Sequence, residues 1–173
     1  DGVRAKKAYF FDENSVYLLG AAIDSDSPYP VATTVNVARK NGNVIKGADW
    51  GWHDGIGYKG ARLQIAEGVR SGDWGIVSGG LAKPAPFSAE LFSVGVEHGI
   101  GVKGGSYAVA VLPGASPEET ARFELRILAN TPSLQAVQFA DGTAGAVFHE
   151  AGKLGSFEAK EPGVFLIPAE NLK

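Results

Sequence analysis

Glycine occupies 24 of the 173 positions and returns every few residues, paired at Gly79-Gly80 and Gly104-Gly105. A residue that takes positive φ freely, and weakens a helix interior, supplies turns and bulges between short strands and works against long helices. The text between the glycines fits that constraint. Lys7–Phe11 leads through the turn-rich Asp12–Ser15 to Val16–Ile23, an almost wholly apolar run. A run apolar on both faces implies an inner strand of a packed sheet. In Val31–Ala38, Val31, Thr33, Val35 and Val37 share one face, expected in the core, and Ala32, Thr34, Asn36 and Ala38 the other. Asn41-Gly42 reads as a hairpin turn, and Asp141-Gly142 as another, between Leu134–Ala140 and Ala144–Glu150. Arg70–Asp73 reads as a turn, Trp74–Val77 as a short strand, residues 79–86 as an exposed loop, and Phe87–His98 with Ser106–Leu112 as a long antiparallel pair. One helix is expected, from Pro117 to about Leu125. Ser116-Pro117-Glu118-Glu119 offers a hydroxyl cap, a first-turn proline and a glutamate spaced for a capping box. The reading is all-β: a large antiparallel β-sandwich of about a dozen strands and one short helix, forming a single domain over residues 1–173.

Charge and composition exclude several function classes. Sixteen basic against 19 acidic residues give a net charge of −3, with no basic run longer than Lys6-Lys7 or Arg39-Lys40, so the electrostatic footprint of a nucleic-acid binder is missing. Cysteine is absent, which removes disulfides, thiolate metal sites and a cysteine nucleophile. No run of 18 apolar residues suggests a membrane helix, and no charged-then-apolar leader is present. The chain starts at Asp1 and has no methionine, and is read as a processed or excised piece of something longer.

Chemistry-bearing residues concentrate between Asp49 and Gly60, which holds two of the three tryptophans and one of the three histidines. Trp50, Trp52 and Tyr58 offer flat apolar faces with a polar edge, flanked by Asp49, His53 and Asp54. Such a set suits either a sugar-ring platform or a corner where a sandwich turns and rings fill space beside glycines. The spacing matches no zinc pattern, so no metal and no cofactor is expected. Glu97-His98 and His149-Glu150 read as solvated strand ends. Gly99–Gly104 fits G-x-G-x-x-G in form but precedes a strand, and no Gly-x-Ser-x-Gly elbow occurs.

In order along the chain come Tyr9-Phe10-Phe11-Asp12 with Val16–Gly20, Thr33-Thr34-Val35-Asn36, Trp52-His53-Asp54-Gly55-Ile56-Gly57-Tyr58, Gly72-Asp73-Trp74, Glu97-His98-Gly99, Tyr107-Ala108-Val109 with Leu112-Pro113-Gly114 and Ser116–Thr120, and Leu128-Ala129-Asn130-Thr131. Over Lys7 to Gln138 this order resembles the central β domain of family-8 polysaccharide lyases, the hyaluronate, chondroitin and xanthan lyases. The resemblance implies a sandwich that in the full enzyme follows an α/α toroid and precedes a smaller C-terminal β domain, both expected to be absent from this chain. It implies β-elimination next to a uronic acid, which needs donors at the carboxylate and a placed acid and base. The family's asparagine, histidine, tyrosine and arginine for that step sit on the toroid, so no catalytic residue is assigned here. The β domain is expected to supply the opposite wall of the cleft in a secreted or periplasmic bacterial enzyme, with the toroid and an acidic polysaccharide as partners. Asn36 best matches the family's cleft position on the Thr-Thr-Val-Asn strand. Asn36, Arg39, Trp50 and Trp52 are the substrate-binding candidates, and a stand-alone carbohydrate-binding or structural sandwich is the alternative.

Overall fold

The computed structural model describes residues 2–79 and 83–173. The loop expected over residues 79–86 therefore lies partly outside the described residues. The first hairpin forms as its sequence dictates: β1 (Val3–Phe11) pairs antiparallel with β2 (Val16–Ser25), Phe11 opposite Val16. β3 (Val31–Arg39) then leaves for a second sheet, while β4 (Val44–Lys46), β5 (Trp50–His53) and β6 (Ile56–Gly60) return to the first. β7 (Leu63–Asp73) and β8 (Pro86–Gly99) build the second sheet, with the short helix α1 (Trp74–Val77) directly after β7. β9 (Gly105–Pro113) enters the middle of the first sheet. The results are a six-stranded sheet, β1-β2-β9-β6-β5-β4, and a three-stranded sheet, β3-β8-β7.

A third layer follows the helix α2 (Pro117–Arg122). β10 (Ile127–Asn130), β11 (Leu134–Gln138), β12 (Ala144–Phe148) and β15 (Gly163–Ile167) form a four-stranded sheet, and β13 (Gly152–Leu154) pairs with β14 (Phe157–Ala159) beside it. The six-stranded sheet is thus packed on both sides. Alternate residues of β9 show this: Tyr107, Val109 and Val111 face the three-stranded sheet, whereas Ala108, Ala110 and Leu112 join Tyr17, Leu19 and Phe10 against Val137 and Val147 of the third layer. Gly145 of β12 has no side chain because the Phe10 and Phe139 rings fill that space, 2.6 and 3.0 Å from where a Cβ would stand.

Several local readings are corrected. Asn41-Gly42 does not close a hairpin, because β3 pairs with β8 and β4 with β5; the turn instead carries the chain from one sheet to the other. Asp54-Gly55, whose residues take φ of 50° and 78°, is the two-residue hairpin turn here, between His53 and Ile56. β8 and β9 lie in different sheets, face to face, instead of pairing. Arg70–Asp73 continues β7, held in register with β8 from Arg70 opposite Ala89 to Gly72 opposite Phe87. Trp74–Val77 is the single helical turn α1, because the Asp73 carboxylate accepts from the Gly75 amide at 2.7 Å and caps it. The expected helix α2 has its full capping box but stops at Arg122, where Phe123 turns extended, at ψ 131°, to pack against the core. The Asp141-Gly142 hairpin forms as expected between β11 and β12.

Candidate functional site

The four substrate-binding candidates do not come together. A bulge between Thr34 and Asn36 shifts the register of β3 against β8, so the simple alternation read from sequence breaks there. Val37 turns to solvent, and Asn36 turns inward, its Nδ2 donating to the Tyr58 hydroxyl at 2.5 Å. Tyr58 is fully buried, and burial raises its hydroxyl pKa, with the Asn36 hydrogen bond acting the other way. Asn36 therefore ties the two sheets together from within.

Trp50 and Trp52 lie on the opposite face of the six-stranded sheet from Tyr58, since Trp52 pairs with Gly57 and Trp50 with Lys59. The Trp50 ring covers Gly47, where a Cβ would collide with its indole. Trp52 Nε1 donates to the Ala115 carbonyl at 2.6 Å, and Gly57 beneath is bare because Thr120 of α2 fills its place. Lys59 completes the corner, its Nζ donating to Asp49 and to the Ala121 carbonyl. The stretch from Asp49 to Gly60 is a packed corner under α2, and its two tryptophans are half-buried there.

The three histidines are likewise engaged. His53 is buried, accepts from the Asn41 amide at 2.9 Å and stacks on Phe92 with ring centres 4.3 Å apart. His98 meets the Thr33 hydroxyl at 2.9 Å; burial lowers its pKa, with Arg62 and Lys7 adding to the effect. His149 meets Gln135 at 3.1 Å and is lowered by burial and Lys6, Glu150 opposing. The latter two stand at strand ends as read, but half-buried with fixed partners instead of solvated. Among the described residues no three His, Cys, Asp or Glu side chains group as metal ligands.

One surface does gather charge and aromatic faces. On the outer side of the three-stranded sheet, Arg39 pairs across with Leu91, Arg70 with Ala89 and Gly72 with Phe87, so all project from the same face. Both arginines are exposed. Between them lies a shallow depression of about 260 Å³ lined by Val37, Ala66, Gly68, Leu91 and Ser93 with Glu67 and Arg70. At its end Trp74, 58% exposed, stacks on Phe87 at 5.1 Å and 20° between planes. Gly72 makes room, since a Cβ there would stand 3.0 Å from the Phe87 ring, and Asp73 fixes the turn by accepting also from the Ala85 amide at 2.8 Å. The nearby acids are paired: Lys40 bridges Glu67 at 2.9 Å and Glu90 at 3.0 Å, and Lys46 lies 3.9 Å from Glu67; the two bridges raise the pKa of Lys40, and Lys40 foremost lowers that of Glu67. With Lys40 and Lys46 standing against those two acids, the two arginines set the charge of this face. A larger hollow of about 330 Å³ beside α2 has one ionisable group, Glu119, whose carboxylate is spent on the capping box.

Of the residues on this surface, sequence reasoning named Arg39 as a candidate and did not name Arg70 or Trp74. The signal for Trp74 was present, an aspartate cap immediately before a short apolar run with glycines on either side of the pair.

Comparison with known proteins decides the family. Residues 1–124 match the polysaccharide lyase family 8 super-sandwich domain, and residues 126–171 match the family's C-terminal β-sandwich domain. The chain belongs to polysaccharide lyase family 8. This family-8 chain is 33% identical over 201 residues to chondroitinase-AC of Pedobacter heparinus, covering all of the chain and 29% of that protein. A solved chondroitinase AC lyase, known in enzyme–oligosaccharide complexes, superposes with a TM-score of 0.88 at 32% identity over the whole chain and 30% of its own. The chondroitin AC lyase of Streptomyces coelicolor A3, solved in complex with chondroitin sulphate, gives 0.84 at 26% identity, covering 94% of this chain and 24% of its own. The chain thus spans less than a third of the length of these family-8 relatives. The second match also assigns the four-stranded layer to the C-terminal domain, which the sequence reading had merged into one sandwich and counted as absent. The shared core explains the merging, since Tyr17 and Leu19 of the six-stranded sheet lie in one buried cluster with Val137 of the four-stranded layer.

Proposed function

We propose that this chain is the β portion of an extracellular family-8 lyase that cleaves an acidic, uronate-containing polysaccharide by β-elimination, and that it forms the non-catalytic wall of the substrate cleft. The carrying observation is family membership together with a chain that spans 30% of a chondroitinase AC lyase. The outer face of the three-stranded sheet is the surface that suits an anionic sugar chain. Arg39 and Arg70 present guanidinium forks for carboxylate or sulphate, and Trp74 backed by Phe87 presents a flat ring for the C–H face of a sugar. From Leu91 to Phe87 this row runs roughly 14 Å along β8, the reach of a short oligosaccharide.

The acid, base and carboxylate-neutralising groups of the elimination belong in this reading to the remainder of the parent enzyme, and the 173-residue chain is inactive alone. The test of the wall is steady-state kinetics of the parent enzyme carrying Arg39→Ala with Arg70→Ala. Loss of uniform binding raises KM roughly tenfold and leaves kcat within about twofold. An unchanged KM removes this face from the cleft.

A further inference from the structure

The six-stranded sheet ends differently at its two edges. At one edge stands β4, three residues long, with Lys46 turned to donate to the Ile65 carbonyl at 3.1 Å. At the other stands β1, nine residues long, hydrogen-bonded only to β2 among the described residues. A long strand with a free backbone edge is a template for another strand. The third layer overhangs it. β12 lies over β1, since Phe10 fills the place of a Gly145 side chain, and β15 is the next strand out. Val164 and Leu166 of β15 pair with Val147 and Gly145, so they point the same way as those core-facing residues, yet they are 76% and 71% exposed. On the opposite face of the six-stranded sheet, Phe11 is 74% exposed. β2, whose sequence demands burial on both faces, has Tyr17 and Leu19 buried but Val16 and Leu18 only half-buried. Uncovered apolar surface therefore lies on both sides of one open edge.

We infer that the six-stranded sheet continues past β1: an extended, apolar, acid-bearing segment of the parent polypeptide outside residues 1–173 pairs with β1 and seals Val164 and Leu166 from below. Charge selects this occupant over a second copy of the chain. β1 carries Arg4, Lys6 and Lys7 and no acidic residue, so pairing β1 with β1 of another copy opposes like charges, whereas a strand bearing Asp or Glu is complementary. The inference rests on the reading that the chain belongs to a longer lyase.

The absence of cysteine gives a direct test. Val164→Cys is made in the 173-residue chain and in the full gene product, with Lys153→Cys as an exposed reference, and the thiol-labelling rate of that residue is read by peptide mass mapping. In the 173-residue chain both positions label at similar rates. In the full product Val164→Cys labels at least tenfold more slowly than the reference, on the order expected of a backbone-paired layer, and adding Lys6→Glu and Lys7→Glu restores fast labelling. Equal labelling of Val164→Cys and the reference in the full product overturns the inference while leaving the proposed function intact. Protection that rises with protein concentration, with a dimer in sedimentation, replaces the segment with a second copy and overturns it as well. A gene product that ends at residues 1–173 overturns both readings.

Discussion

The chain's three tryptophans divide between two regions with opposite characters. Trp50 and Trp52 lie in the corner under α2, where rings cover glycines and indole and amine donors reach backbone carbonyls. Trp74 lies at the far end of the β7–β8 pair, stacked on Phe87 with most of its own surface in solvent. The two regions have similar residues, an aromatic and an aspartate among glycines, and only the packing around them differs. An aromatic ring next to glycine in sequence is therefore ambiguous until it is known whether another layer covers it.

This comparison is open to measurement. The largest effect is expected in the buried corner and the sheets it joins: Tyr58→Ala costs about 3–5 kcal/mol in urea unfolding, while Trp74→Ala stays within about 0.5 kcal/mol. Comparable losses for both would erase the distinction. Binding reverses the order. Trp74→Ala in the parent enzyme weakens retention of a chondroitin oligosaccharide roughly tenfold, or about 1.4 kcal/mol, whereas Trp52→Phe leaves it unchanged. Trp52→Phe instead removes the hydrogen bond to Ala115 and lowers stability by about 1 kcal/mol, measured by thermal melting.

The smallest effect is a pH dependence confined to the sandwich. His98 and His149 have folded pKa values below 6.5, mainly through burial. The unfolded chain therefore takes up protons first, so their contribution is intact above pH 6.5 and is lost as pH falls through the lower folded values. Replacing both with glutamine flattens the melting temperature over that window, ahead of the carboxylate transitions near pH 4 and below. A slope that survives the double replacement assigns it elsewhere.

How much of this was legible in the sequence differs by level. The all-β class, the β1–β2 and β11–β12 hairpins and the α2 capping box follow from local rules, and all form. The pairing of strands far apart in sequence does not: the bulge at Val35 that turns Asn36 inward depends on β8, and the crossing at Asn41-Gly42 on which sheet receives β4. Asp54-Gly55 was as plain a hairpin signal as Asn41-Gly42, but among the surrounding rings it was read only as part of a sugar platform or a strand corner. Arg39 was named as a candidate from its charge near Asn36, whereas Arg70 becomes part of the same surface only through the β7–β8 register.

The most direct measurement follows ultraviolet absorbance of unsaturated uronate during incubation with chondroitin, hyaluronan or xanthan, comparing the parent enzyme with the isolated 173-residue chain at equal molarity. The account predicts steady release by the parent on at least one of these polymers and none by the chain. Release by the isolated chain would contradict the claim that it is a wall without catalytic groups, and so would a parent that cleaves none of them.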